Sequence, residues 1–406
     1  MKEHRDTASA AESKWDSTAD VVSPPRTGSR SEIARIVALV QLPPPVHGAS
    51  LMNQYVTSHA SILHSYSWRT IPLRFASALG DIGKARPAKL MALCRVWIEV
   101  VRVCIRHRPD LAYFTLSPCG WAFVRDLTIV GILKTLRIPT LFHLHGRGML
   151  ASTRPRPLQP FYRWAFAGST VIHLSQSLYE EVSDLVPLNR FHVVPNGIPD
   201  SWRGEARRQG TADDACTILY VSNMMLEKGP LDLLRAVAYL RDRGTTVRCS
   251  FVGPFLTDDF RKRFEKIVKE NRLEQQVLVH GALYDDKRDA VLGEAGIFAF
   301  PSFYRPEAFP LVVLEAMSHG LPVVAARVGA LEEIVDDGIT GFLVPPGDVT
   351  GLAEKLLQLY RDRSLRRRMG TNGRSKYLER YTLSAFVQRL TEVIDSCLTA
   401  SARDRV

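Results

Sequence analysis

The chain has 406 residues, of which 46% are hydrophobic and 23% charged, and its formal net charge is +11 at pH 7. That length exceeds one ordinary core and sets two domains as the expectation, while the composition is that of a globular protein. No apolar run reaches the roughly eighteen residues a membrane span needs, because Arg95, Glu99, Arg102, Arg125, Asp126 and Lys134 break the best candidates.

Residues 1–30 mix charged and hydroxyl side chains without the apolar core of a secretory signal, which predicts a disordered tail and a cytoplasmic protein. The six cysteines (Cys94, Cys104, Cys119, Cys216, Cys249, Cys397) form no CxxC and no ligand-like cluster, as suits a reduced compartment. Ile33 to Leu42 reads as a strand, and Pro43 to Ser50 follows as a loop at its carboxyl end, where open α/β sheets bind ligands. Gly48 in that loop either lets backbone approach a phosphate or sugar, or serves a tight turn that needs positive φ. No GxGxxG dinucleotide fingerprint is present after this strand.

Leu90 to Arg106 is predicted to form a basic amphipathic helix, Asp110 to Leu116 a strand, Trp121 to Leu136 a helix, and Thr140 to Leu144 a strand ending at His145-Gly146. Such alternation implies a parallel, doubly wound sheet. His145 at the strand end points towards a ligand cleft, with His143 a weaker candidate on the same strand face. Further short strands are expected at Val171 to Leu174 and Phe191 to Ile198, closing on a Pro-Asn-Gly turn. The polar stretch from Asp200 to Asp214 reads as a linker. The expected organisation is therefore a first domain over 31–200, a linker over 201–213, a second domain over 214–382, and a closing helix over 383–406.

The second domain repeats the rhythm. Thr217 to Val221 reads as a strand, and the loop Ser222 to Gly229 leads into a helix from Pro230 to Arg241. Strands follow at Arg248 to Val252, Val277 to His280 and Gly296 to Phe300, with the loops near Gly253 and from Gly281 to Tyr284 suited to a nucleotide base. Glu307 to Glu315 (EAFPLVVLE) then holds two acids separated by seven residues across a strand-to-helix turn, with Pro310 expected in the first helical turn. Pro310 and Glu315 stand about 7.5 Å apart along a helix axis, so the two carboxylates can reach different ends of one ligand. The positive helix end between them suits an anion.

These strings resemble the signature of the retaining glycosyltransferases of the large family 4 group, which adopt the GT-B fold of two Rossmann-like domains facing a central cleft. Glu227-Lys228-Gly229 matches the family's EKG, EAFPLVVLE its paired acids, and Gly338 to Gly341 with Pro345 to Asp348 its later glycine-rich turns. The resemblance covers roughly residues 33 to 398 and implies closing helices that cross back to the first domain. It implies that Glu315 holds ribose hydroxyls, Glu307 the donor sugar, and Lys228 with the N–H groups around Phe309 and Leu311 the diphosphate. Gly48 would line the cleft near the donor phosphate and His145 would lie near the donor sugar. Asn223 stands where most relatives carry an Arg, which leaves the diphosphate more dependent on Lys228, the helix end or nearby Arg305.

The expected activity is transfer from a nucleotide-diphosphate sugar to an acceptor hydroxyl, with no cofactor. No Asp-x-Asp occurs in the chain, so no metal is expected. Between residues 33 and 179 there are 17 Lys or Arg against four acids, with Arg147, Arg154, Arg156 and Arg163 among Phe161, Tyr162, Trp164 and Phe166. That asymmetry predicts a first domain peripheral on an anionic, cytoplasmic membrane face and a lipid-linked or phosphorylated acceptor. A nucleotide-sugar epimerase of the same architecture is the enzymatic alternative. A polyanion-binding module is the other, although no aromatic-basic RNA string or zinc spacing is present, and no nucleic acid partner is expected.

Overall fold

The computed structural model describes residues 33–74, 87–153, 158–202 and 216–403. The tail at 1–30, most of the linker, and Arg154 and Arg156 lie outside these residues. Residues from Ala34 onward carry two six-stranded sheets in which every neighbouring pair of strands is parallel.

The first sheet holds β1 (Arg35–Val40), β2 (Ser67–Pro72), β3 (Leu111–Phe114), β4 (Thr140–His143), β5 (Thr170–His173) and β6 (Phe191–Val193), in the order β2-β1-β3-β4-β5-β6. Between them run α1 (Gly48–Ser58), α2 (Ala60–Ser65), α3 (Pro87–His107), α4 (Gly120–Thr135), α5 (Met149–Thr153) and α6 (Gln159–Phe166). Strands such as β3 (LAYF) and β4 (TLFH) are buried at every position, as a parallel sheet covered on both faces requires. Successive residues alternate between two cores. Val37 and Leu39 pack with Val96, Val100, Phe123 and Phe166 of α3, α4 and α6, whereas Ile36, Ala38 and Val40 pack with Met52 and Val56 of α1.

The second sheet holds β7 (Thr217–Val221), β8 (Arg248–Val252), β9 (Val277–Gly281), β10 (Ile297–Phe300), β11 (Val323–Ala326) and β12 (Gly341–Val344), in the order β12-β11-β10-β7-β8-β9. Its helices are α7 (Pro230–Asp242), α8 (Asp258–Glu270), α9 (Asp285–Glu294), α10 (Leu311–Ser318), α11 (Leu331–Ile334), α12 (Val349–Arg361) and α13 (Arg363–Arg380). Pro310 is not inside the first turn of α10 as expected. It precedes that turn with an extended ψ of 114°, so the chain bends there and the helix begins at Leu311.

The final helix, α14 (Leu383–Arg403), returns to the first sheet, where the Tyr66 hydroxyl donates to Asp395 Oδ1 at 2.7 Å. The two segments that pass between the sheets are bonded to each other. Ile198 N–H donates to Tyr381 O at 3.0 Å and Leu383 N–H to Ile198 O at 2.8 Å. A Cβ on Gly197 would stand 2.3 Å from Thr382 O and 2.7 Å from Phe386 Cβ, so only glycine lets these segments approach so closely. One apolar cluster runs through this junction, joining Met52 and Val56 of α1 to Phe309, Leu311 and Leu314 of the second half and to Phe386 and Leu390 of α14.

Candidate functional site

Lys228 ends a short 3-10 turn, Leu226–Lys228, after β7. Three bonds hold that turn: Tyr220 Oη donates to Lys228 O at 3.2 Å, Phe303 N–H to Glu227 O at 2.8 Å, and Gly229 N–H to Leu226 O at 3.0 Å. Gly229 has φ +75°, and a Cβ there would meet Pro301 O at 2.1 Å, so the loop after β10 lies directly on the EKG turn. This stacking brings Lys228 Nζ onto Glu307 Oε2 as an ion pair and sets the ammonium 4.7 Å from the Tyr304 ring centre. Both side chains of the pair are largely buried. The sequence places these residues 79 positions apart; the structure makes them partners.

Glu307 leads through buried Phe309 and Pro310 to α10. The first N–H groups of that helix lack intrahelical acceptors by construction, which gives its start partial positive charge. Phe309 packs edge-on against Tyr381 with ring centres 5.8 Å apart, so its side chain anchors the loop and only its backbone is available to a ligand. Glu315 lies on the next turn and pairs through Oε1 with Arg288 Nη2 of α9 at 3.1 Å. Its Oε2 and Arg288 Nε are buried without a hydrogen-bond partner. Burial pushes the Glu315 carboxyl up to about 7; Arg288 opposes the rise and Asp289 adds to it. Tyr55 of α1 faces this pair from the first sheet, and burial with the Glu315 charge raises its hydroxyl to about 12.

From the first sheet come two loops. His47 caps α1, accepting from Ser50 N–H at 3.3 Å while Ser50 Oγ accepts from His47 N–H at 2.9 Å. Gly48 therefore opens a helix rather than a positive-φ turn, and a Cβ on it would sit 3.8 Å from Leu311 Cδ1, so this loop meets the start of α10. The second loop leaves β4 at His143. The rings of His143 and His145 lie 4.1 Å apart, the Tyr113 hydroxyl bonds His143 Nδ1 at 2.6 Å, and both ring nitrogens of His145 are buried without a partner. Burial lowers His145 to about 3, with His47 contributing, and His173 of β5 likewise to about 3. These imidazoles are neutral near pH 7. Two residues on, Arg147 N–H reaches Pro306 O at 3.5 Å, beside Glu307, while its side chain pairs with Glu181 at 3.5 Å.

The loops near Gly253 and Gly281 also adjoin, with Gly253 N–H donating to Gly281 O at 2.7 Å, and Tyr284 is exposed beyond them. Asn223 is half-buried in the loop after β7, and Arg305 is exposed in the turn before Glu307. Neither stands in the Lys228–Glu307 pair. Sequence reasoning missed Arg288 and Tyr55, and it assigned Arg147 to a membrane face, whereas the structure bonds it to the loop before Glu307 and to Glu181. Each enters the site through a contact between distant elements, and no local string marks it.

Two parallel six-stranded sheets, joined by a C-terminal helix that returns to the first, and a largely buried Lys–Glu pair beside a helix start in the second half define a GT-B glycosyltransferase. The chain belongs to the group 1, family 4 glycosyltransferases: the family model "Glycosyltransferase Family 4" matches residues 79–202 and "Glycosyl transferases group 1" matches residues 203–376. It is 27% identical over 284 residues to the alpha-D-kanosaminyltransferase of Streptomyces kanamyceticus, covering 64% of this chain and 71% of that enzyme. It is also 27% identical over 264 residues to the N-acetyl-alpha-D-glucosaminyl L-malate synthase of Bacillus anthracis, covering 62% of this chain and 66% of that enzyme. In fold it is similar to Anabaena HepE solved in complex with UDP, with a TM-score of 0.68 and 21% identity over 89% of this chain and all of that one.

Proposed function

We propose that this protein transfers a hexosyl group from a nucleotide-diphosphate sugar to an acceptor hydroxyl with retention at the anomeric carbon. The observation that carries the reading is the convergence of Lys228, Glu307 and the positive end of α10 where the His47–Gly48 and His145–Arg147 loops meet them. The domain over 214–382 holds the donor and the domain over 31–200 the acceptor. Glu315 takes the ribose hydroxyls through its unpartnered Oε2, Lys228 and the first N–H groups of α10 take the diphosphate, and Glu307 takes the sugar. Neutral His145 offers a ring N–H to the sugar without adding charge. Gly48 leaves room at the helix start, and Arg305 and Asn223 stand at the rim to add polar contacts to the phosphates.

Bond breaking places negative charge on the departing diphosphate, and a preorganised ammonium and helix end stabilise it as it forms. The same diphosphate oxygen accepts the proton of the attacking hydroxyl on the face it leaves, which accounts for retention. A relative solved with UDP supports a uridine nucleotide. The basic first domain supports a lipid-linked or phosphorylated acceptor in cell-surface glycan synthesis, with the protein peripheral on a membrane. Positive charge from Lys228 and α10 replaces a metal in this reading.

A thermal-shift screen of nucleotide sugars identifies the donor, because a ligand that binds only the folded state raises Tm. Transfer to acceptor analogues then follows, with the product's anomeric configuration read by NMR and activity measured with and without EDTA. An inverted product overturns retention, and activity lost to EDTA and restored by Mn²⁺ overturns metal independence.

A further inference from the structure

The first sheet's outward side, opposite α1, is covered by α3, α4 and α6, whose inner residues form one core with the strands. Their outer side is unusual for a solvated surface. On α3, Met91, Ile98 and Ile105 recur every seven residues, which keeps them on one stripe, and they are 60%, 68% and 60% exposed. Trp97 Nε1 donates to Thr128 Oγ1 at 2.8 Å, fixing α4 beside α3 at matched height. Both helices lead from the carboxyl end of one strand to the start of the next, so Trp121, 80% exposed on the first turn of α4, lies level with Met91 at the cleft end of the domain. Arg95, Arg102 and Arg106 are exposed on the same side of α3, and among the described residues of the three helices Glu99 is the single exposed acid. On α6, exposed Phe161 and Trp164 flank exposed Arg163, and Lys134 of α4 lies 5.6 Å from the Trp164 ring centre. Among the described residues no helix is long and apolar enough to cross a membrane.

We propose that this α3–α4–α6 face docks the protein on an anionic lipid bilayer. The aliphatic stripe and Trp121 enter the boundary between headgroups and acyl chains, and the arginines lie at the phosphates. An interleaved apolar and basic face with almost no acid complements that surface, whereas a self-associating face would require the arginines to meet one another. The proposal rests on the reading of a membrane-borne acceptor for its purpose, but not for its test. Docked this way, the Met91–Trp121 end puts the cleft at the membrane, where such an acceptor emerges.

The test is sedimentation of the full-length protein with phosphatidylcholine vesicles, with and without phosphatidylglycerol, at low and high salt. Binding is expected to vesicles containing phosphatidylglycerol and to be released by salt. Arg102→Ala is expected to lower partitioning about five-fold, and Ile98→Glu with Trp121→Glu at least ten-fold. Lys266→Ala on α8 serves as the control and is expected to change nothing. A retained nucleotide-sugar thermal shift shows that each variant is folded. Equal or negligible binding to both vesicle types, or unimpaired binding by the double variant, overturns the proposal. So does a dimer that Ile98→Glu dissociates while the wild type ignores vesicles, since the face would then join two copies. Vesicle binding by a protein that turns over no nucleotide sugar upholds docking and overturns the transferase reading.

Discussion

Lys228 and Glu307 neutralise one another in this structure, so a diphosphate entering the site must draw the ammonium away from the carboxylate. Replacing Glu307 with Gln removes that competition. Expected are turnover lowered at least about a hundred-fold, from loss of a charged contact to the sugar, and nucleotide diphosphate affinity unchanged or tighter. Calorimetry beside steady-state kinetics checks the split, and equal losses of both would make Glu307 a structural acid. Glu315 adds a pH dependence. Its carboxylate is the form that accepts ribose hydroxyls, and burial holds its pKa near 7, so donor affinity should rise as pH rises through about 7 and weaken below it. Falling pH should weaken binding by up to about ten-fold per unit, and Glu315→Gln should flatten the profile. A nucleotide sugar is the suitable probe because its diphosphate carries no group titrating in that window. The two acids and the EKG lysine were legible because each belongs to a local string. Arg288 was not, because a guanidinium in the polar run DDKRDAVLGE reads as solvated until folding lays α9 against α10.

At the scale of elements, the buried strands were readable to within one or two residues wherever both faces carry apolar side chains, as in β7 and β8, which match the expected spans. β2 (SWRTIP) was missed because it is an edge strand with only Ile71 buried. α8 was missed although its sequence marks it twice: Phe260, Phe264, Ile267 and Val268 recur at helical spacing on one face, and Thr257 caps Phe260 N–H. α11 is just four residues long, yet it links the halves. Glu333 accepts from Gln176 N–H at 3.2 Å and Ser177 N–H at 2.8 Å in the first half, while its carbonyl accepts from Lys376 Nζ at 2.7 Å. Just before it, Ala330 N–H donates to Ala308 O at 3.1 Å, so α11 also braces the loop that carries Glu307. Glu333→Ala should therefore lower kcat roughly ten-fold, about 1.4 kcal/mol, with nucleotide affinity retained, and Glu333→Gln should recover part of it. Unchanged kcat in the alanine variant would reduce Glu333 to a surface contact.

For the whole molecule, the buried imidazoles set the acid limit. His143, His145 and His173 stay neutral in the fold but take protons once unfolded, so each withdraws stability as pH falls below about 6.5, at about 1.4 kcal/mol per unit. Glu315 and buried Asp126 act oppositely, because a raised pKa costs stability as pH rises from the ordinary carboxyl range, but these two acids oppose three buried histidines joined by His47, His59, His192 and His319, which burial also lowers. Tm should fall on acidification from pH 7 to pH 5, and a flat profile in calorimetry would refute the burial of these rings. The junction at Gly197 has a mechanical consequence. Because the outgoing and returning segments are bonded at Ile198, they act as a single pivot pin, and relative rotation of the halves must sweep least there and most at the far rim of the cleft. Gly197→Ala would force that pin apart by placing a methyl on Thr382 O. The expected result is a lower Tm together with a wider distribution of distances between spin labels set on opposite rims, while a label pair within either half reads as in the parent protein.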